Sequence, residues 1–249
     1  MKIDSKDSTG KLQGFVSRFR LVAAAVSAGL MASGCATAPP APPPPSQSQQ
    51  AAISPAQAQE KLAAGNARFA AGKPWHRDWP QERAATAAGQ YPFAAVLSCI
   101  DSRTSSEIVF DQGFGDIFNA RVAGNVLDDE ILGSLEFACK LAGAKLIVVV
   151  GHTHCGAVKV ACGGTQLGRL TGLLEKIQPC VAAAKQELPG VAVTDGRFVE
   201  TVAELNVHQV MQQIRAQSAV LRELIDAGKV GLVGGIYDLD SGKIEFFKP

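Results

Sequence analysis

Two short stretches of the sequence combine residue types that bind metal ions. In the first, Cys99 is followed by Asp101 and Arg103, and the second holds His152 and Cys155, three residues apart. Cysteine and histidine are preferred protein ligands of zinc, and three protein ligands with an open fourth position distinguish a catalytic zinc site from a structural one. Cys99, His152 and Cys155 form such a set. The sequence therefore predicts a catalytic zinc site.

His154 is an alternative to His152 as the histidine ligand. Because His154 is adjacent to Cys155, it would need a tighter bend to face the same ion, so the spacing favours His152. Each residue taken alone also has a structural interpretation, since isolated cysteines are most often buried as small apolar side chains. Their joint position after two predicted strands favours the metal site.

Asp101 and Arg103 allow two interpretations. On a surface they would form an ordinary ion pair that contributes about 0–1 kcal/mol. Beside a metal ion, the arginine fork would hold the carboxylate ionised and oriented, and Asp101 would either ligate the ion or accept a hydrogen bond from metal-bound hydroxide. A phosphate-binding or sulfurtransferase loop at Cys99 and Arg103 is disfavoured, because the three intervening residues offer too few backbone N–H groups.

The elements that must position these residues follow from the hydrophobic pattern. Short apolar runs bounded by turn residues predict β-strands at 93–98, 117–122 and 146–150. Helical spacing is present at 55–71, 129–142, 155–185 and 199–227. A hairpin is predicted where 231–239 and 243–247 flank an Asp-Ser-Gly turn.

This alternation predicts an α/β fold with a mostly parallel central sheet, of about four parallel strands plus an antiparallel edge strand, flanked by helices. Both ligand stretches directly follow strands, and ligands in open α/β sheets bind beyond the carboxyl ends of strands.

Composition restricts the class of protein. A chain of 249 residues is long enough for one α/β domain with a substantial core. Its 24 basic side chains nearly balance 23 acidic ones, so no nucleic acid is expected as a partner, because phosphate binding needs a basic surface. Of the six cysteines, Cys139, Cys162 and Cys180 lie outside these motifs and are predicted to lie in the core.

The first 53 residues predict export and a spacer. A basic start, an apolar run at 21–32 too short to span a bilayer, and small residues before Cys35 are typical of a signal or lipoprotein-like leader over 1–35. Lipidation of Cys35 would then tether the chain to a membrane; an ordinary cleaved signal and an uncleaved anchor are the alternatives. Proline-rich residues 36–53 predict a disordered linker, with the catalytic domain at 54–249. The expected location is the periplasmic side of a bacterial membrane, lipid-anchored or soluble.

The paired motifs resemble the zinc signature of the β-class carbonic anhydrases. Cys99-x-Asp101-x-Arg103 and His152-x-x-Cys155 carry the likeness, which covers roughly 55–249. Further matching stretches lie at 65–69, 110–113, 121–125, 133–136 and 234–238. The departures are Ala157, where many relatives have a second glycine, and a leader that many members lack.

The resemblance implies zinc-dependent, reversible hydration of CO2 to bicarbonate and a proton through a zinc-bound hydroxide, with one Zn2+ per subunit. The implied ligands are Cys99, His152 and Cys155, joined by Asp101 in a closed resting state. When Asp101 pairs with Arg103 instead, the fourth position is free for water.

Further expectations concern the substrate and the assembly. The resemblance implies that Gln112 and Gly156 contact CO2 or bicarbonate, and that the site is completed in a homodimer or higher homo-oligomer. Two thiolate ligands would cancel the formal charge of zinc and weaken its acidifying effect on water, so activity favoured by alkaline pH is expected.

Two alternatives remain open. One is a zinc-binding scaffold protein without turnover, and the other is the same fold acting on CS2 or COS. Asp101 and Arg103 count against the scaffold, because a structural zinc site would need neither.

Overall fold

The fold is built around a five-stranded sheet in the order β2-β1-β3-β4-β5, in a computed structural model that describes residues 38–247. The strands are β1 (Ala94–Ser98), β2 (Ile117–Arg121), β3 (Leu146–His152), β4 (Gly231–Tyr237) and β5 (Ile244–Phe246). The first four run parallel and β5 pairs antiparallel with β4. The predicted α/β class, with four parallel strands and an antiparallel edge strand, is confirmed.

The helices flank this sheet. They are α1 (Gln47–Ala52), α2 (Pro55–Ala70), α3 (Trp79–Thr86), α4 (Ser106–Val109), α5 (Asp129–Glu136), α6 (Gly156–Cys162), α7 (Gly168–Glu175), α8 (Gln178–Glu187), α9 (Gly196–Gln217) and α10 (Ala219–Asp226). A 3-10 turn lies at Ala123–Asn125, and α5 continues into a π-helical turn over Phe137–Leu141.

Burial explains the position of the strands. Every residue of β1 and β3 is buried, as expected for central strands that are covered on both faces. Because β1 pairs in parallel with both β2 and β3, the carboxyl ends of these three strands lie along one edge of the sheet. The loops that carry the candidate ligands therefore leave the sheet side by side.

The helical stretches predicted at 155–185 and 199–227 are each divided. Gly163 and Gly164 end the first helix, with Gly164 at φ 68°, and Pro179 stands in the first turn of α8. Ser218 separates α9 from α10, and its side chain accepts a hydrogen bond from the backbone N–H of Leu221. The breaks follow from turn chemistry in the sequence.

The disordered linker predicted for 36–53 is corrected over 38–53. Residues 39–41 pair with the backbone of His76 through two hydrogen bonds of 2.8 Å, and α1 follows. Gln50 is buried, and its Nε2 donates to the carbonyl oxygens of Pro92 and Ala142, both at 2.7 Å. Proline-rich composition predicts an extended chain, but it does not reveal that the neighbouring polar groups can dock such a chain onto a domain.

The leader predicted at 1–35, including Cys35, lies outside the described residues. Within positions 38–247, no helix combines the length and the apolar content needed to cross a membrane.

Candidate metal centre

The two sequence stretches that carry the predicted ligands lie side by side at the carboxyl edge of the sheet. Cys99 directly follows β1, His152 ends the neighbouring strand β3, and Cys155 precedes α6. One ligand atom from each lies within 4.8 Å of the others, and all three residues are buried. No other group of three histidine, cysteine or carboxylate side chains is placed so closely in the described part of the chain.

The donor chemistry of the cluster fits a zinc ion. The Nδ1 atom of His152 lies 2.9 Å from the carbonyl oxygen of Thr153, which can only accept, so Nδ1 carries the proton and Nε2 presents a lone pair. Nε2 is buried and has no hydrogen-bond partner, a costly state that metal coordination would relieve. With the sulfur atoms of Cys99 and Cys155, it forms a Cys-His-Cys set that could hold a metal ion, and three such protein ligands are typical of catalytic zinc sites.

The two thiols share one proton. The hydrogen bond between Cys155 and Cys99 lowers the pKa of Cys99 and raises that of Cys155. The backbone N–H of Gly124 also donates to Cys99 Sγ, at 3.3 Å. Without a metal ion, Cys99 is therefore the thiolate and Cys155 the thiol at neutral pH.

Asp101 faces Arg103, and its carboxylate is not part of the three-residue cluster. Arg103 donates from Nε to Oδ1 at 2.9 Å and from Nη2 to Oδ2 at 2.8 Å, and its backbone N–H adds a third bond of 3.0 Å. These bonds hold the pKa of Asp101 well below its usual range. Of the four ligands that the sequence predicts, the structure brings together Cys99, His152 and Cys155, while Asp101 is paired with Arg103.

Arg121 is a site residue to which the sequence assigns no role. It ends β2, opposite Ser98, and donates from Nε to the carbonyl oxygen of Cys99 at 2.9 Å and from Nη2 to that of Asp101 at 2.6 Å. The hydroxyl of Thr104 donates to the same two oxygens, at 3.1 and 3.0 Å. The backbone that carries Cys99 and Asp101 is thus fixed from two sides. In the sequence, the signal that could have indicated this role is the position of Arg121 at the end of a predicted strand.

Gln112 and Gly156 lie in different settings. Gln112 is buried, and its Nε2 donates to the carbonyl oxygens of Phe110 at 2.6 Å and Asp111 at 3.1 Å, within its own loop. Gly156 is the exposed first residue of α6, where an added Cβ would meet nothing within 4 Å. Substrate contact by either residue stays a prediction.

His154 lies outside the cluster. Its ring is exposed, and Nε2 lies 3.3 Å from the Oδ2 atom of Asp240. Of the two candidate histidines, the structure therefore places His152 beside the cysteines.

Cys139, Cys162 and Cys180 are buried and free, as predicted for core residues. Burial raises the pKa of all three thiols, to about 12 for Cys139 and about 11 for Cys180. They are therefore neutral thiols at physiological pH and do not resemble the ligand pair.

Comparison with known proteins gives consistent matches. Residues 94–244 match the protein family described as carbonic anhydrase. Carbonic anhydrase 2 of Mycobacterium tuberculosis is 38% identical over 196 residues, which cover 76% of this chain and 91% of that protein. A carbonic anhydrase of Mycolicibacterium smegmatis is 36% identical, covering 77% and 93%.

Solved structures agree. A β-carbonic anhydrase of Aspergillus fumigatus is similar with a TM-score of 0.63 at 28% identity, covering 78% of this chain and 91% of that one. One of two tetrameric β-carbonic anhydrases of Sordaria macrospora has a TM-score of 0.63 at 25% identity, covering 68% and 87%.

Proposed function

This chain belongs to the β-class carbonic anhydrases, and from that premise we propose that it catalyses the zinc-dependent, reversible hydration of CO2 to bicarbonate and a proton. The proposal rests on the buried cluster of Cys99, His152 and Cys155. It rests also on the carboxylate of Asp101, which Arg103 holds ionised and oriented. A zinc scaffold would need the cluster but not the oriented carboxylate.

Each part of the site has a chemical task. Zn2+ held by Cys99, His152 and Cys155 would supply the Lewis acidity that makes water a nucleophile at moderate pH. Asp101 stays ionised and keeps one free lone pair, on Oδ2, beside its three bonds from Arg103, so it can accept a hydrogen bond from the attacking water and orient it towards CO2. Arg121 fixes the backbone of Asp101 and thereby the position of its carboxylate.

Zinc content and stopped-flow CO2 hydration test the proposal on the parent protein and two variants. We expect one zinc per subunit and hydration activity in the parent. Cys99→Ser should lose zinc, whereas Asp101→Ala should keep zinc and lose most of the hydration activity. A parent protein that binds zinc but does not hydrate CO2 would contradict the proposal. It would favour the zinc scaffold or, if it hydrolyses COS or CS2, the alternative substrates.

We also propose that the chain forms a homodimer or a higher homo-oligomer. Strand β2 is an edge of the sheet, beside a largely apolar groove of about 600 Å3 that Phe118 and Phe137 help to line. Phe137 is 52% exposed and Leu141, in the same π-helical turn, is 77% exposed, and exposed apolar side chains next to an apolar groove are typical of protein–protein contacts. The Sordaria macrospora relative is tetrameric.

Light scattering after size-exclusion chromatography tests the assembly. Leu141→Glu should shift the protein towards monomer, whereas the control Leu167→Glu, at a position 66% exposed elsewhere, should leave the assembly unchanged. A parent protein that is monomeric at micromolar concentration would contradict the proposal.

Export and tethering through Cys35 form the last part of the proposal. The basic start, the short apolar run and the small residues before Cys35 support it. The chain pairs with the domain from Pro39 onwards, so a lipid on Cys35 would hold the enzyme within roughly 15 Å of the bilayer, the reach of four extended residues. Membrane fractionation of the parent and of Cys35→Ala tests this: the variant should become soluble, and unchanged membrane association would contradict lipidation.

A further inference from the structure

A fully buried asparagine lies on α9, a helix whose buried side chains pack in the same hydrophobic cluster as Cys99 and Cys155. Asn206 has 0% of its surface exposed, and Val202, Ala203 and Val210 on the same helix belong to the hydrophobic core. Removing an amide from water costs free energy unless new hydrogen bonds replace those to water. A leucine of similar size would avoid that cost. Any advantage of an amide at this position must therefore come from the hydrogen bond that it makes.

That bond leads to the metal cluster. The Nδ2 atom of Asn206 donates to the carbonyl oxygen of Gly124 at 2.8 Å, while its Oδ1 atom has no partner. The N–H of the same glycine donates to Cys99 Sγ at 3.3 Å. One residue, Gly124, therefore connects the buried amide to a candidate zinc ligand.

The Gly124 turn is a single 3-10 turn, closed by a hydrogen bond of 2.9 Å from the N–H of Asn125 to the carbonyl oxygen of Val122. Gly124 itself has φ 66°, a conformation that favours glycine, and a Cβ at this position would lie 2.8 Å from the Cδ1 atom of Ile177. Gly124 therefore has no side chain that could fix its own peptide groups. The bond from Asn206 to its carbonyl oxygen supplies a restraint from outside the turn.

From this geometry we propose that Asn206 is a positioning residue of the metal centre, which acts through Gly124 on the sulfur of Cys99. The proposal rests on the zinc-dependent function proposed above. An N–H directed at a thiolate stabilises its negative charge and fixes the sulfur, and partners of this kind outside the ligand shell change metal affinity by about 10- to 100-fold.

Metal binding to an Asn206→Leu variant tests this role without an activity assay. Its zinc affinity, measured by competition with a chromogenic chelator, should fall by about 10- to 100-fold. The thiolate-to-cobalt charge-transfer absorption of the Co(II)-loaded variant should shift from that of the parent, because one sulfur has lost its fixed N–H donor.

Asn66→Leu is the matched control. Asn66 is also a buried asparagine, and its amide donates to the carbonyl oxygens of Val109 at 3.1 Å and Gly242 at 2.9 Å, without contact to a ligand. This variant should lose at least as much stability in urea unfolding, yet keep the parental zinc affinity and Co(II) spectrum.

Parental affinity and spectrum in a folded Asn206→Leu variant would overturn the proposal, as would an equal loss of affinity in both variants. If Asn206→Leu does not fold, Asn206→Ala replaces it: it removes the amide without adding bulk, so the same loss is expected. A parent protein that binds zinc tightly without hydrating CO2 would refute the proposed function. The zinc affinities and Co(II) spectra of the variants could still be compared and would still test the role of Asn206.

Discussion

At the scale of single residues, Arg121 joins the two parts of the loop that carry Cys99 and Asp101. It donates to their carbonyl oxygens from two nitrogen atoms of a rigid planar fork, a fixed geometry that the flexible lysine side chain does not provide. Loss of one hydrogen bond to a charged group costs about 1.5–3 kcal/mol, so we expect kcat/KM for CO2 hydration to fall about tenfold or more in Arg121→Lys.

The control for this variant is Arg215→Lys, at an exposed ion pair with Asp226. It should keep nearly the parental kcat/KM in the same stopped-flow assay. Equal activity in the two lysine variants would show that the loop carrying Asp101 does not depend on Arg121.

The shared thiol proton leads to a second expectation. Zinc binds thiolates, and in the metal-free protein the hydrogen bond between the two thiols lowers the pKa of Cys99 and raises that of Cys155, so that the pair holds one proton at neutral pH. Binding should therefore release about one proton per zinc at neutral pH, and more in acid, where the thiolate is protonated as well. Calorimetry in buffers of different ionisation enthalpy measures this number, and release of two protons at neutral pH would show that the thiols do not share one.

The residues that could be predicted from the sequence are those whose position depends on strand ends. Cys99 and Cys155 each follow a recognisable strand, so their meeting with His152 is foreseeable. The orientation of Asp101 is not, because the same residues serve both the ligating and the paired state. The role of Arg121 requires knowing that β2 neighbours β1, which only tertiary structure provides.

At the scale of elements, the docked segment before α2 is the main departure from sequence-based expectation. The strands are foreseeable because β1 and β3 are continuous apolar runs between turns. Helix α1 is not, because its docking depends on Gln50, whose amide reaches two carbonyl oxygens far away in the chain.

Gln50→Ala tests that docking. It removes two buried hydrogen bonds and leaves their carbonyl acceptors unpaired, so we expect the free energy of unfolding in urea to fall by about 1–3 kcal/mol. Gln47→Ala, at an exposed position of the same helix, should change it by less than about 0.5 kcal/mol. Equal free energies of unfolding for the two variants would mean that the docking of α1 through Gln50 contributes nothing to stability.

At the scale of the whole molecule, the proposed zinc site would couple metal binding to folding. The unpartnered Nε2 of His152 and the two sulfur atoms form a site that exists only in the folded chain. Free zinc at a hundredfold its Kd should therefore stabilise the protein by about 2.7 kcal/mol. Thermal unfolding with and without a chelator measures this, and Cys99→Ser should not respond to zinc. A parent with the same Tm in both conditions would contradict a specific site.

The central claim is zinc-dependent hydration of CO2 by the cluster of Cys99, His152 and Cys155. Its most direct test is the stopped-flow rate of CO2 hydration by the zinc-loaded protein, followed from mildly acidic to alkaline pH. Because two thiolates weaken the acidifying effect of zinc, the account predicts hydration that rises with pH and is strongest under alkaline conditions. Zinc-loaded protein without hydration at any pH would contradict the claim.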